Sequence, residues 1–189
     1  DGLESNEQLQ LFMDINENQK AVSANLRLDL EEDLYWNSNV AASRLKALRS
    51  SIVKAIANSQ GPLYNKISVG EERSVLSFKP FSTALTKSML LPSAKGNTYD
   101  NNSIIPSLYD VNNHDHIKEM ERCKKKIVQL INFCYGFVED KYRDIFEKEK
   151  YFIVSDRGTY AFITLIGSLN SFLVDKRELN KDSSSKDRF

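Results

Sequence analysis

Two histidines, His114 and His116, flank an aspartate in the stretch HDH, and they are the only imidazoles in the chain. Such a pair could begin a metal site, but zinc takes three or four ligands and no cysteine lies close in sequence. The spacing favours a polar helix start, in which short side chains accept hydrogen bonds from first-turn N–H groups. Cys123 and Cys134 are eleven positions apart, about three turns, so they project from one side of a helix and cannot bridge each other. They read as reduced thiols, a usage that suits a cytoplasmic protein. No glycine-rich phosphate loop, zincin helix or nucleophile elbow occurs, so the sequence assigns no catalytic residue, metal or cofactor.

Two further groups of residues have chemistry to offer. Between two apolar patterns in LFMDINENQKAVSANLRLDL lies a knot of amides and a lysine, Asn16, Asn18, Gln19 and Lys20. Amides end helices and make turns, so local physics makes the knot a joint, although amides also read base edges and a lysine can meet a phosphate. The second group is basic: Arg44, Lys46, Arg49 and Lys54 in a helical stretch without acids, and Arg122 to Lys126 (RCKKK), beside Glu119 and Glu121. At about 100° per residue the first four spread around the helix instead of forming one patch. A solvated face outweighs a nucleic-acid contact for both stretches; if DNA is bound, Arg44, Lys46, Arg49, Lys124, Lys125 and Lys126 are the candidate contacts. With 26 basic and 26 acidic residues there is no global field, so any such contact must be local.

The elements that must position these residues are mostly helices. The chain has 189 residues, 41% hydrophobic and 28% charged, enough for one well-buried core. A helix is expected over about 5–16, a second carrying Val22, Leu26, Leu30 and Leu34, and a third over 40–58, capped by Asn37 or Asn39 and ended by Gly61 and Pro62. A short β-hairpin is expected at about 66–78 (KISVGEERSVLSF), then a short helix beginning near Pro80. Residues 92–114 show no period and read as a long loop. A long helix over about 115–148 follows, bent or broken near Gly136, then a short extended piece over 151–154. The last helix, capped by Ser155 or Asp156, is expected to turn Phe162, Leu165, Ile166, Leu169 and Phe172 or Leu173 inward. The apolar run 159–174 is too interrupted to span a bilayer. The fold expected is therefore mainly α, a helical bundle-like domain over 1–175 with a charged, flexible tail over 176–189.

LFMDINENQKAVSANLRLDLEED resembles the F-x-x-I-N-x-x-Q-x-x-V-x-x-x-L segment that follows the signature motif of DGQHR-domain proteins. That family includes the DndB-type proteins of DNA phosphorothioation systems and is considered similar to ParB-like proteins. The matching positions are Phe12, Ile15, Asn16, Gln19, Val22 and Leu26. ANSQGPLYNKISVGEE and SDRGTYAFITLIGSL resemble later stretches of the same family. The D-G-Q-H-R signature itself is not in the chain, since Asp1 and Gly2 are followed by Leu3 and Glu4. The resemblance implies the C-terminal, helical part of a larger α/β protein, a regulatory or DNA-associated component of a bacterial DNA-modification or phage-defence system. Its partners would be DNA or sister proteins, the fragment alone would be catalytically silent, and Asn16, Gln19 and Lys20 would stand beside the absent motif. Two other readings remain: a helical protein-interaction module, or part of a nucleotide-hydrolysing or nucleic-acid enzyme whose centre lies upstream.

Overall fold

The computed structural model describes residues 8, 11, 24–69, 74–146 and 152–186. The amide knot at Asn16, Gln19 and Lys20 and most of the helix expected over 5–16 lie outside these residues. Helix α1 spans Ala24–Tyr35 and α2 spans Ala41–Asn58. The sequence predicts an apolar stripe on α2, and Ala41, Leu45, Leu48, Ile52 and Ile56 are indeed buried. Burial extends further round, to Ala47, Val53 and Ala57 and to the polar Arg44, Ser50 and Ser51, because α1, the later helices and a hairpin surround it. Arg44 lies on an enclosed side of the helix and departs from the solvated position expected for it, whereas Lys46 on the open side stays exposed.

The chain is mainly α with one two-stranded antiparallel hairpin, and the hairpin's place differs from expectation. Over 66–78 the described residues make a single bridge, Ile67 to Leu76. There the Ser74 N–H donates to Ser68 Oγ (2.8 Å) and helix α3, Phe78–Lys87, starts directly afterwards, so no ladder develops among the described residues. The hairpin is instead β1 (Ala94–Lys95) and β2 (Thr98–Tyr99), inside the stretch read as a loop. Its two-residue turn needs Gly96, whose φ is +58°. The rest of that stretch is ordered by side chains that mimic backbone. Asp100, Asp110 and Asn113 each accept from the N–H two residues on, and Asp100 caps the short α4, Asn101–Ile104.

Asp115 caps α5, His116–Lys141, by accepting from the Lys118 N–H at 3.1 Å, the polar helix start predicted from HDH. Its inward stripe of Met120, Cys123, Ile127, Ile131 and Tyr135 packs on α2. The helix passes through Gly136 and stops at Tyr142, ahead of a short α6, Arg143–Phe146. A 3-10 turn, Phe152–Val154, replaces the extended piece, and Ser155 caps α7, Asp156–Lys186, by accepting from the Gly158 N–H. The predicted face of α7 is rotated. Of the predicted inward residues Ile166 is buried and Phe162 packs on the core, but Leu165, Leu169, Phe172 and Leu173 are more than half exposed, and Thr159 and Ile163 are buried instead. Two glycines set this orientation: a Cβ at Gly158 would fall 1.6 Å from the Phe152 carbonyl oxygen, and one at Gly167 would fall 1.9 Å from that of Ser88. The glycine edge lies against neighbouring backbone, and the leucines turn outward. The helical backbone continues to Lys186 where a frayed tail was expected; lysine, arginine, glutamate and leucine in this stretch are all good helix formers.

Three side chains finish the helix ends from a distance. Asn97 Oδ1 accepts from the Ala41 N–H (2.7 Å), Asp156 Oδ1 from the Ser77 N–H (2.7 Å), and Asn170 Nδ2 donates to the Pro106 carbonyl (2.7 Å). No helix among the described residues is long and apolar enough to cross a membrane.

Candidate functional site

The first turn of α2 draws its caps from the hairpin, not from the nearby Asn37 or Asn39. Ala41 N–H donates to Asn97 and Ala42 N–H to the Gly96 carbonyl at 2.9 Å. This docking places Tyr99 against Tyr109, their ring centroids 6.3 Å apart at 36°. Arg44 comes to the same place from the second turn of α2. It is only 7% exposed, and among the described residues its hydrogen bond is from Nη1 to the Ser38 carbonyl, 2.9 Å. No described carboxylate pairs with it. Burial pushes the Tyr109 phenol above its ordinary value, Tyr99 adds to the rise and Arg44 opposes it, so Tyr109 remains a neutral hydroxyl.

The N-terminus of α5 completes the arrangement. A cleft of about 510 Å³ is lined by Asn37, Ser38, Asn39, Arg44 and the run His114 to Ile117. A second, of about 360 Å³, shares Asn39, Arg44 and His116 and adds Asn97 and Tyr99. Four buried polar atoms near these clefts, Arg44 Nε, His116 Nδ1 and the Tyr99 and Tyr109 hydroxyls, make no hydrogen bond of ordinary geometry, although Tyr99 and Arg44 both lie close enough to act on the Tyr109 hydroxyl. A buried guanidinium without a counter-charge costs several kcal/mol, and natural folds rarely carry one to no purpose. Asp115 contributes a negative charge at the rim, but Lys118 Nζ holds its carboxylate at 2.8 Å. Chemically, the arrangement presents donors and positive charge to a cleft. Among the described residues no group of three or more histidines, cysteines and carboxylates could hold a metal.

The other basic residues separate. Arg49 is half-buried, and burial pulls its guanidinium below the ordinary value against the opposing pull of Glu31. Lys46 is exposed and lies over the Tyr35 ring at 6.0 Å; Lys124 lies over Trp36 at 5.2 Å and pairs with Glu121 at 3.3 Å. Consecutive aromatic residues at the end of α1 thus gather cations from α2 and α5. Lys125 and Lys126 are exposed but turn progressively away from Trp36 along the helix. Cys123 is fully buried, and burial pushes its thiol up to about 12; Cys134 is raised for the same reason, so neither is a ready nucleophile.

Reading residue types alone singled out Arg44, His114 and His116 separately but missed Asn97, Tyr99 and Tyr109. The available signal was Lys95-Gly96-Asn97-Thr98, a two-residue turn pattern between short strand-forming pieces. Comparison with known protein families, with curated proteins and with solved structures yields no match to this chain.

Proposed function

We propose that the chain is the helical portion of a DNA-associated regulatory component of a bacterial DNA-modification or phage-defence system, and that it binds instead of catalysing. The resemblance to DGQHR-domain proteins supplies the setting. The observation that carries the reading is the face at the end of α1, where Tyr35 and Trp36 lie beneath Lys46 and Lys124. Lysines held in place over aromatic rings suit a nucleic-acid strand, whose phosphates they can meet.

Trp36 is the only tryptophan in the chain, so its emission reports on this face directly. Titration with DNA should change that emission, with an affinity that falls steeply as salt rises. Replacing Lys46, Lys124, Lys125 and Lys126 by glutamine should weaken binding and flatten the salt dependence. An absence of salt-dependent binding by both the chain and the full-length protein sinks the reading. A protein-interaction module is the second reading, favoured by the exposed ridge of Leu165, Leu169, Phe172 and Leu173 on α7. Binding to a sister protein that depends on this ridge and survives the lysine replacements would favour it.

A further inference from the structure

The cleft around Arg44 is lined by residues other than those of the Trp36 face and makes a separate argument. We propose that it is a binding site for a phosphate monoester, seated between Arg44 and His116.

Arg44 is more than nine-tenths buried, lines both adjoining clefts, has no described carboxylate partner and leaves Nε without a hydrogen bond. A guanidinium is charged at any ordinary pH and presents its donors in a planar fork that matches phosphate oxygens. Its counter-charge is therefore expected from outside the described fold. His116, the first residue of α5, adds a second buried, unpartnered nitrogen on the facing helix, and the Asp115 carboxylate that caps this helix is paired with Lys118. Asn37 and Asn39 on the rim are amides that can hydrogen-bond whatever group the phosphate carries. Tyr99 lines the inner cleft and its hydroxyl can donate to a bound oxygen. The larger cleft, about 510 Å³, exceeds what a bare phosphate fills, which is why an ester is assigned. A nucleoside monophosphate and the 5′-phosphate end of a nucleic acid share this chemistry.

Calorimetric titration of the chain with inorganic phosphate, deoxyadenosine monophosphate, a 5′-phosphorylated oligodeoxynucleotide and its unphosphorylated counterpart separates these sources, with acetate as the carboxylate control. Phosphate and at least one ester should bind, and the unphosphorylated strand should not compete with phosphate for the cleft. Arg44→Met should weaken binding about 10- to 100-fold. Without phosphate, this variant should melt at or above the temperature of the parent chain, because it removes an uncompensated buried charge. Phosphate should raise the melting temperature of the parent and leave that of Arg44→Met unchanged. His116→Gln should weaken phosphate binding while preserving the fold, and Lys46→Gln should leave it intact, which keeps this site distinguishable from the Trp36 face. The proposal is overturned if no phosphate compound binds, or if Arg44→Met binds as tightly as the parent. If Arg44→Met fails to fold, an undiminished affinity in His116→Gln overturns it instead.

Discussion

Removing the Glu119 carboxylate tests the packing of the long 105–115 connection most directly. Glu119 is 1% exposed and receives hydrogen bonds from the Asp110 N–H (2.7 Å), Arg122 Nε (2.6 Å) and Asn113 Nδ2 (3.4 Å), with Arg122 Nη2 also paired to Oε1. Arg122 Nη2 donates in addition to the Leu108 carbonyl at 2.7 Å, so one ion pair holds both sides of the connection against α5. Breaking a fully buried pair by removing one partner costs about 3–5 kcal/mol. The Arg122 side chain is 38% exposed, so water recovers part of its charge and that range is an upper bound. Charge-assisted bonds contribute about 1.5–3 kcal/mol and an orphaned buried N–H costs about 1–3 kcal/mol, which places Glu119→Ala near a loss of about 3 kcal/mol. For a chain of this size the melting temperature should fall by about 6–12 °C. Glu119→Gln retains an acceptor for Asp110 and should lose about half as much. A double-mutant cycle with Arg122→Ala, followed by urea denaturation, should return a coupling above about 1 kcal/mol. The pH dependence has a definite sign. Burial pushes the Glu119 carboxyl up, but hydrogen bonds from Arg122 and Asp110 outweigh it and leave the carboxyl below its ordinary value. Its contribution is therefore complete above the ordinary carboxyl range and is lost as pH falls through the lowered value, so parent and Glu119→Gln should converge in stability in acid. A Glu119→Ala variant within about 1 kcal/mol of the parent would refute the reasoning.

Two further substitutions test the helix ends and contacts. Asn97→Ala removes the acceptor for the Ala41 N–H and should cost about 0.5–2 kcal/mol by urea denaturation, with faster amide exchange at Ala41. Gly167→Ala would drive a methyl into the Ser88 carbonyl and should destabilise by about 1–3 kcal/mol, although alanine normally favours a helix; a stabilised variant would show that α7 does not approach α3 this closely.

The helices were legible where a periodic stripe and local punctuation agreed. α2 has Ala41, Leu45, Leu48, Ile52 and Ile56 in register and Gly61-Pro62 beyond its end, and its observed limits follow. Its cap was not legible, because Asn97 lies 56 residues away and only the docked hairpin brings it to Ala41. The β-branched residues near Ile67 and Val75 suggested a hairpin that Ser68 and the start of α3 preclude among the described residues, whereas Gly96-Asn97 marked the true turn. On α7, counting apolar positions chose the leucine face; close backbone packing at Gly158 and Gly167 chose the other. The same distinction governs the cleft. Arg44 is conspicuous as a cation in sequence, but its burial without a described ion pair and its position beside Tyr99, Tyr109 and His116 exist only once α2, the hairpin and α5 are assembled.

The three long-range bonds that complete helix ends, Asn97 to Ala41, Asp156 to Ser77 and Asn170 to Pro106, have a consequence for how the molecule comes apart. Each couples segments that a single nick would assign to different pieces, so a cut in the connections before α5 leaves the earlier piece without partners supplied by α7. Unfolding is then expected to be cooperative across the described core, with the start of α3 losing protection together with α7, and the start of α2 together with the hairpin.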